Sequence, residues 1–288
     1  MFVSENNWYS WNYSQGKFQT VYAPYKGQIG TFKDELIKAA SLSIDQFGND
    51  LSILFSGGSE SDLMLRSFLA VKFKPNVYIV RYEKDYNLYD VSYAVTICSM
   101  LDVKYKIIDF NLTKFFENDA LYVSELAEID RPRALPYCKI LELIEGVPVF
   151  GRGEPNPIKI NNNWVQRCHE YDVGRIKYAK SINKLAIAEW FKYTPGLIIS
   201  YMNLNWFKKL IDNEYYADDA STTKMIGYCE AYPDLLNRKK KTGFENIEPL
   251  INEVENQLFK KYGKFPYRNV HDRNINDWYL EITGRDML

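Results

Sequence analysis

The chain has 288 residues, with 36 Lys and Arg against 37 Asp and Glu and a formal net charge of −1. That length suffices for one large or two modest domains. A charge so near zero gives no overall field toward nucleic acid or an anionic membrane. Hydrophobic residues at 46% and charged residues at 25% exclude a disordered chain. Cysteines 98, 138, 168 and 229 form no C-x-x-C pair, so neither a redox pair nor a zinc ribbon is expected, and a reducing cytoplasm is the expected compartment. The first residues show no basic stretch followed by an apolar one, so no secretory leader is expected. The longest uncharged run, 193–207, holds Pro195 and is too short to span a bilayer.

In chain order, 1–25 set Trp and Tyr around Ser14-Gln15-Gly16-Lys17, which predicts an aromatic β-hairpin with a packing role. Phe32, Leu36, Ala39, Ala40 and Ile44 share one side of a helix over 31–47. The apolar run 51–55 then meets Ser56, Gly57 and Gly58, and Met64, Leu65, Phe68 and Leu69 fall on one face of a following helix. A short apolar run bounded by glycine reads as a buried parallel strand. Paired glycines leave backbone N–H groups unobstructed, and the positive end of a helix dipole faces the same spot, which suits a phosphate.

Further strands are expected at 77–82, 105–110 and 147–150. Between them lie helical patterns over 88–101 and 113–128, and a helix begun by Pro136 and closed before Gly146. This alternation predicts an α/β fold, a Rossmann-like parallel sheet with helices on both faces. In such sheets, ligands bind at the carboxyl ends of the strands. Past Pro157, a small hairpin is expected at 158–160 and 164–168, then helices at 184–192, 197–212, 220–231 and 249–262. The expected organisation is a hairpin and helix over 1–48, a nucleotide-binding core over 49–160 and a mostly helical substrate or lid region over 161–288. Cys168-His169-Glu170 lacks partners at ligand spacing and is not expected to bind a metal.

No Walker A loop occurs, and no third glycine follows at dinucleotide spacing. Ser56-Gly57-Gly58-Ser59-Glu60-Ser61 resembles the S-G-G-x-D-S pyrophosphate loop of the N-type PP-loop ATP pyrophosphatases. That resemblance implies a HUP-type fold of the adenine nucleotide α-hydrolase-like kind, with ATP and Mg2+ as ligands. It implies that Ser56, Gly57, Gly58, Ser59 and Ser61 wrap pyrophosphate while the α-phosphorus is attacked. Glu60 stands where the family has its magnesium-binding aspartate, and Asp62, two residues on, is a second candidate ligand. Adenine would lie against 80–82 on the second strand, with Arg81 beside the nucleotide.

Two later stretches extend the resemblance toward the C-terminal domain of asparagine synthetases. Gly151-Arg152-Gly153-Glu154 resembles their S-G-E-G-x-D-E loop, with Arg152 at the first glutamate position. It implies Gly151 at the nucleotide and Glu154 as a second magnesium ligand or a general base. Arg238-Lys239-Lys240 resembles the R-x-K segment whose lysine pairs with departing pyrophosphate, which implies that role for Lys240; Lys224 lies where the preceding helix would be. Phe2 stands where glutamine-dependent members carry a catalytic cysteine, so the nitrogen donor is expected to be free ammonia or an amine. The expected activity is AMP- and pyrophosphate-forming adenylation of a small carboxylate followed by amide or amine ligation. The expected partners are ATP and a small-molecule acceptor, with no membrane, and with nucleic acid left open as an alternative. The alternatives are nucleobase or tRNA modification, and a nucleotide-binding protein without turnover.

Overall fold

The computed structural model describes residues 9–14, 17–22, 24–155, 157–168, 171–212, 220–235, 241–262, 271–284 and 286–287. Strands β1 (Tyr9–Ser14) and β2 (Lys17–Tyr22) pair antiparallel, Tyr9 opposite Tyr22, in the hairpin that the aromatic pattern predicts. Its turn, 15–16, lies outside the described residues. Helix α1 (Phe32–Phe47) starts at a capping box, in which Thr31 accepts from the Asp34 amide and the Asp34 carboxylate accepts from that of Thr31. Such a box satisfies two otherwise orphaned amides at once.

The central sheet follows from the alternation in the sequence. Strand β3 (Leu51–Leu54) leads to α2 (Ser59–Ala70), β4 (Asn76–Tyr82) to α3 (Leu88–Met100), and β5 (Tyr105–Phe110) to α4 (Leu112–Asn118), α5 (Ala120–Ala127) and α6 (Pro136–Ile140); β6 (Val147–Val149) closes the set. The strands are parallel, in the order β5-β4-β3-β6. Side chains of a strand alternate between faces. Ile53, Val77 and Ile79 accordingly join the core beneath α1, α2 and α3, while Tyr78 and Tyr82 join the opposite core with α4, α5 and α6. The chain is thus an α/β protein with a parallel sheet covered on both faces.

Two expected helices divide. The pattern over 113–128 breaks at Asp119, whose amide closes α4 on Phe115 while its carbonyl accepts from Val123 to open α5. The pattern over 197–212 becomes α8 (Pro195–Met202) and α9 (Asn205–Ile211), after α7 (Tyr171–Ser181). The run 184–192 is irregular instead of α-helical, with one bridge at Ile187 and a single 3-10 turn at Trp190–Lys192. Ile187 bridges Val149 in parallel, donating to the Pro148 carbonyl at 2.8 Å and accepting from Phe150 at 2.9 Å. Ala186, Ile187 and Ala188 are all buried there, and a short continuous apolar run does not distinguish strand from helix by period. Helices α10 (Ala220–Ala231) and α11 (Glu248–Tyr262) follow as expected. The hairpin of β7 (Pro157–Ile160) and β8 (Asn163–Cys168) gains a third antiparallel strand, β9 (His271–Asn274), before α12 (Ile275–Thr283). No helix among the described residues is long and apolar enough to cross a membrane.

Candidate functional site

The carboxyl ends of β3, β4 and β6 open on one cleft of about 400 Å³, within the usual range for small-molecule sites. The chain leaves β3 through Ser56 and turns at Gly57, whose φ is +65°. A Cβ there would also stand 2.9 Å from the Ala94 backbone of α3, so Gly57 is required both for its dihedral and for the close approach. Gly58 is the N-cap of α2 and brings no side chain to close that end. The loop is drawn together by its own hydroxyls. Ser61 Oγ donates to the Gly58 carbonyl at 2.9 Å, the Gly58 amide donates to Ser56 Oγ at 3.3 Å, and the two serine oxygens lie 3.4 Å apart. The result is a helix N-terminus and two hydroxyls aimed at the cleft, a geometry that favours an anion.

The second loop meets the first. Gly151, just past β6, runs so close to α2 that a Cβ would stand 2.9 Å from the Glu60 carbonyl oxygen. Glu60 and Glu154 thereby face each other across the cleft floor with Lys224 of α10 between them, its Nζ 2.5 Å from Glu154 and 4.0 Å from Glu60. Burial works to lower the lysine pKa, but the charges of Glu154 and Glu60 outweigh it and hold the ammonium above its ordinary value. The phenols of Tyr201 and Tyr228 lie buried behind this trio, where burial first, and then neighbouring charge that includes both glutamates, pushes them well above the ordinary range. A buried pair, Lys192 to Glu189 at 2.5 Å, lines another wall.

The opposite wall is apolar. Ile79, Val80, Val91 and Ala94 form a slot between β4 and α3, with Asp90 at its edge. Asn87 fixes the end of β4 by accepting from the Tyr82 amide at 2.8 Å and donating to the Val80 carbonyl at 2.9 Å. A flat heterocycle suits that slot, and an anionic group suits the glycine loop beside it.

No family model matches the chain, and no curated protein matches it in sequence. Solved structures do align. The NMN synthetase from Francisella tularensis aligns at TM-score 0.34 and 10% identity, over 73% of this chain and 97% of that one. The NH3-dependent NAD synthetase from Campylobacter jejuni aligns at 0.32 and 14%, over 81% and 94%. A predicted subunit of tRNA methyltransferase from Methanocaldococcus jannaschii aligns at 0.35 and 15%, over 78% and 94%. At these scores the fold assignment rests on the sheet itself.

Of the residues that the sequence singles out, Ser56, Glu60, Ser61, Gly151 and Glu154 line the cleft, and Gly57, Gly58 and Ser59 build its loop. Ser59 Oγ lies 3.3 Å from Glu60 Oε2, to which it donates. Two expected ligands stand elsewhere. At 3.6 residues per turn Asp62 falls about 200° around α2 from Glu60. It is buried against Arg66 at 2.8 Å, and Arg66 in turn reaches Asp234 at 2.5 Å. Arg81 faces its register partner Asp109 on β5, at 2.6 and 3.0 Å, on an exposed surface outside the cleft lining. Cross-strand pairing at a sheet edge accounts for its position. Lys240 lies outside the described residues, as do Arg238, Lys239, His169 and Glu170.

On the C-terminal side of 236–240 the chain lies at the cleft, where the Lys241 amide donates to Asp90 at 2.9 Å, whereas on the other side Asp234 is tied to Arg66, away from the cleft lining. Thr242 lines the cleft. Sequence reasoning did not single out Lys192, Glu189 or Arg175 as site residues, and noted Lys224 only by its place in a helix.

Proposed function

We propose that this chain adenylates a small carboxylic acid with ATP, releasing pyrophosphate, and then passes the acyl group to ammonia or an amine with release of AMP. The observation that carries this reading is the glycine loop, with its serine hydroxyls and helix N-terminus, opening on the same cleft as Glu60, Glu154 and Lys224. Ser56, Gly57, Gly58, Ser59 and Ser61 would hold the two outer phosphoryl groups, Gly151 would close on the α-phosphate, and adenine would fill the slot beside Val80.

A carboxylate oxygen of the acceptor attacks the α-phosphorus. The bond from that phosphorus to the bridging oxygen breaks, and pyrophosphate leaves with the electron pair. Lys240 is proposed to neutralise the charge that develops there, a role that grows only as the bond breaks. The flank that follows, with the Lys241 amide on Asp90 and Thr242 in the cleft wall, supports that assignment. The nitrogen donor then attacks the acyl carbon, AMP departs, and the nitrogen gives up a proton.

No three His, Cys, Asp or Glu side chains gather as a metal site among the described residues. Two carboxylates beside a phosphate cradle still suit Mg2+, which binds through one or two carboxylates and completes its shell with phosphate oxygens and water. Glu60 would hold it, with Glu154 as second ligand or as the base that takes the nitrogen's proton. Bound there, the ion would offset charge on the phosphates.

Exchange of labelled pyrophosphate into ATP, tested over a panel of small acids, decides the matter. Acid-dependent exchange is expected. ATP binding without exchange or AMP formation would instead mark a nucleotide-binding protein without turnover, a reading favoured by Lys224 already sitting between the two acids. Retardation of tRNA on a gel, with no acid-dependent exchange, would favour nucleic-acid modification.

A further inference from the structure

The apolar slot beside the glycine loop also holds a carboxylate. Asp90, the third residue of α3, is 9% exposed and lines the cleft together with Ile79, Val80, Val91 and Ala94. Its Oδ1 accepts from the Lys241 amide at 2.9 Å. An ionised carboxylate accepts hydrogen bonds and donates none, so a guest that lies against it in the slot has to bring a donor.

The other polar groups at that end of the cleft are turned to neighbours within the chain. Asn87 spends both ends of its amide on the end of β4, accepting from the Tyr82 amide at 2.8 Å and donating to the Val80 carbonyl at 2.9 Å. Thr242 Oγ1 lies 3.4 Å from Glu245 Oε2, to which it donates. The Tyr82 phenol is bonded to that of Tyr137. Among the side chains of the slot, Asp90 is therefore the charged acceptor that a guest meets.

We propose that Asp90 is the residue that selects the base of the nucleotide, its carboxylate accepting from an exocyclic amino group on the ring. This rests on reading the cleft as the nucleotide site, with the base in the slot. A hydrogen bond to an ionised group is stronger than one between neutral groups. A base without the amino group would strip water from the carboxylate and return no bond, and one with an oxo group there would set lone pairs against a negative charge. The base is then read by a side chain of α3 and not by the end of β4, whose Val80 carbonyl and Tyr82 amide Asn87 already engages.

The test is equilibrium dialysis of the full chain with Mg2+ against ATP, ITP and purine riboside triphosphate, which differs from ATP only in lacking the amino group, with inorganic tripolyphosphate as a probe that has no base. The wild type is expected to bind ATP about tenfold more tightly than the other two nucleotides. Asp90→Ala is expected to bring ATP and purine riboside triphosphate within about twofold of each other. Asp90→Asn keeps an acceptor for the Lys241 amide and can donate to an oxo group, so it should shift the ratio of ITP to ATP affinity toward ITP by about tenfold. Tripolyphosphate should bind all three proteins alike, and a merely structural role for Asp90 would weaken the three nucleotides together. Equal binding of ATP and purine riboside triphosphate by the wild type, or a preference that survives Asp90→Ala, overturns the proposal and leaves the nucleotide reading standing. Where Asp90→Ala loses tripolyphosphate as well, the ratio in Asp90→Asn decides, and an unshifted ratio overturns the proposal. If the wild type binds none of the nucleotides, the nucleotide reading falls and the proposal with it.

Discussion

Replacing Lys224 with Gln isolates the electrostatics of the cleft floor. Only 18% of the lysine side chain is exposed, and the acids it touches are 13% and 20% exposed. At an effective dielectric of about 20, separations of 2.5 and 4.0 Å correspond to roughly 7 and 4 kcal/mol of attraction. Removing an ammonium from water costs several kcal/mol in return, and residual solvent trims the remainder. The net falls at the lower end of the range for breaking a buried pair, about 3 kcal/mol.

Urea unfolding at neutral pH is therefore expected to show Lys224→Gln less stable by about 3 kcal/mol. The lysine pKa is raised by its partners despite burial, so its contribution is complete below about 10.5 and is lost only as the pH rises through the raised value. The difference between the two proteins is accordingly flat between about pH 6 and 9. Mg2+ restores positive charge beside the two acids, so it should raise the melting temperature of the variant more than that of the wild type. Superimposable unfolding curves would refute the electrostatic account. A variant indifferent to Mg2+ would remove the acids as metal ligands.

Four further substitutions or treatments test neighbouring parts of the structure. Gly57→Ala forces an L-residue to φ +65° and places a methyl 2.9 Å from the Ala94 backbone, so a loss of about 1–3 kcal/mol in stability and of ATP binding by dialysis is expected. Glu154→Gln should raise the Mg2+ requirement of pyrophosphate exchange if Glu154 is a ligand. It should spare exchange and abolish amide formation if Glu154 is the base. Unchanged kinetics in both assays would leave it a partner of Lys224 alone. Glu83 accepts from the Leu112 amide at 2.6 Å and from the Thr113 amide and hydroxyl at 2.8 and 2.5 Å; burial raises its pKa, but these bonds prevail and hold it below 4.5. Its stabilisation of α4 is present above pH 4.5 and lost as the pH falls through the lowered value, so Glu83→Gln should cost about 1 kcal/mol at pH 7 by urea melt and progressively less as the pH falls below 4.5. Burial pushes the thiols of Cys98 and Cys138 up to about 12, so iodoacetamide at pH 8 should label neither until the chain is unfolded.

The sheet was legible because β3 and β6 are short and apolar with glycines just beyond them, β4 starts after Pro75 and β5 ends before Asn111, and these local preferences agree with the global layering. The glycine loop was legible for the same reason, since only glycine tolerates what Gly57 is asked to do. The misplaced residues share a different logic. Asp62 and Arg81 look chemical in the linear sequence, yet each is claimed by a partner whose proximity is geometric, Arg66 one turn along a helix and Asp109 across a strand pair. Lys224 and Arg175 pose the converse difficulty. They come from α10 and α7, where nothing in the local pattern announces a buried cation, and they acquire their meaning only when the fold carries them to the carboxyl rim. The bridge at Ile187 was hidden because its burial comes from lying against β6 and not from any helical face.

The charge inventory of the cleft bears on how a ligand would be held there. Four acids and four cations line the cleft around the glycine loop, so its side chains offer a triphosphate no net compensation. What they offer is segregation, with hydroxyls and a helix N-terminus at one end and two carboxylates with a lysine at the other. Under the proposed function, a nucleotide in such a site would be held as its magnesium complex, the ion offsetting charge on the phosphates beside carboxylates that a bare triphosphate would find repulsive. The chain as a whole, at net −1, steers no anionic ligand from a distance. Recognition of an anion in the cleft therefore lies in short-range placement, with the loop amides and hydroxyls at one end and Arg152, Arg175, Lys192 and Lys224 set among the four acids.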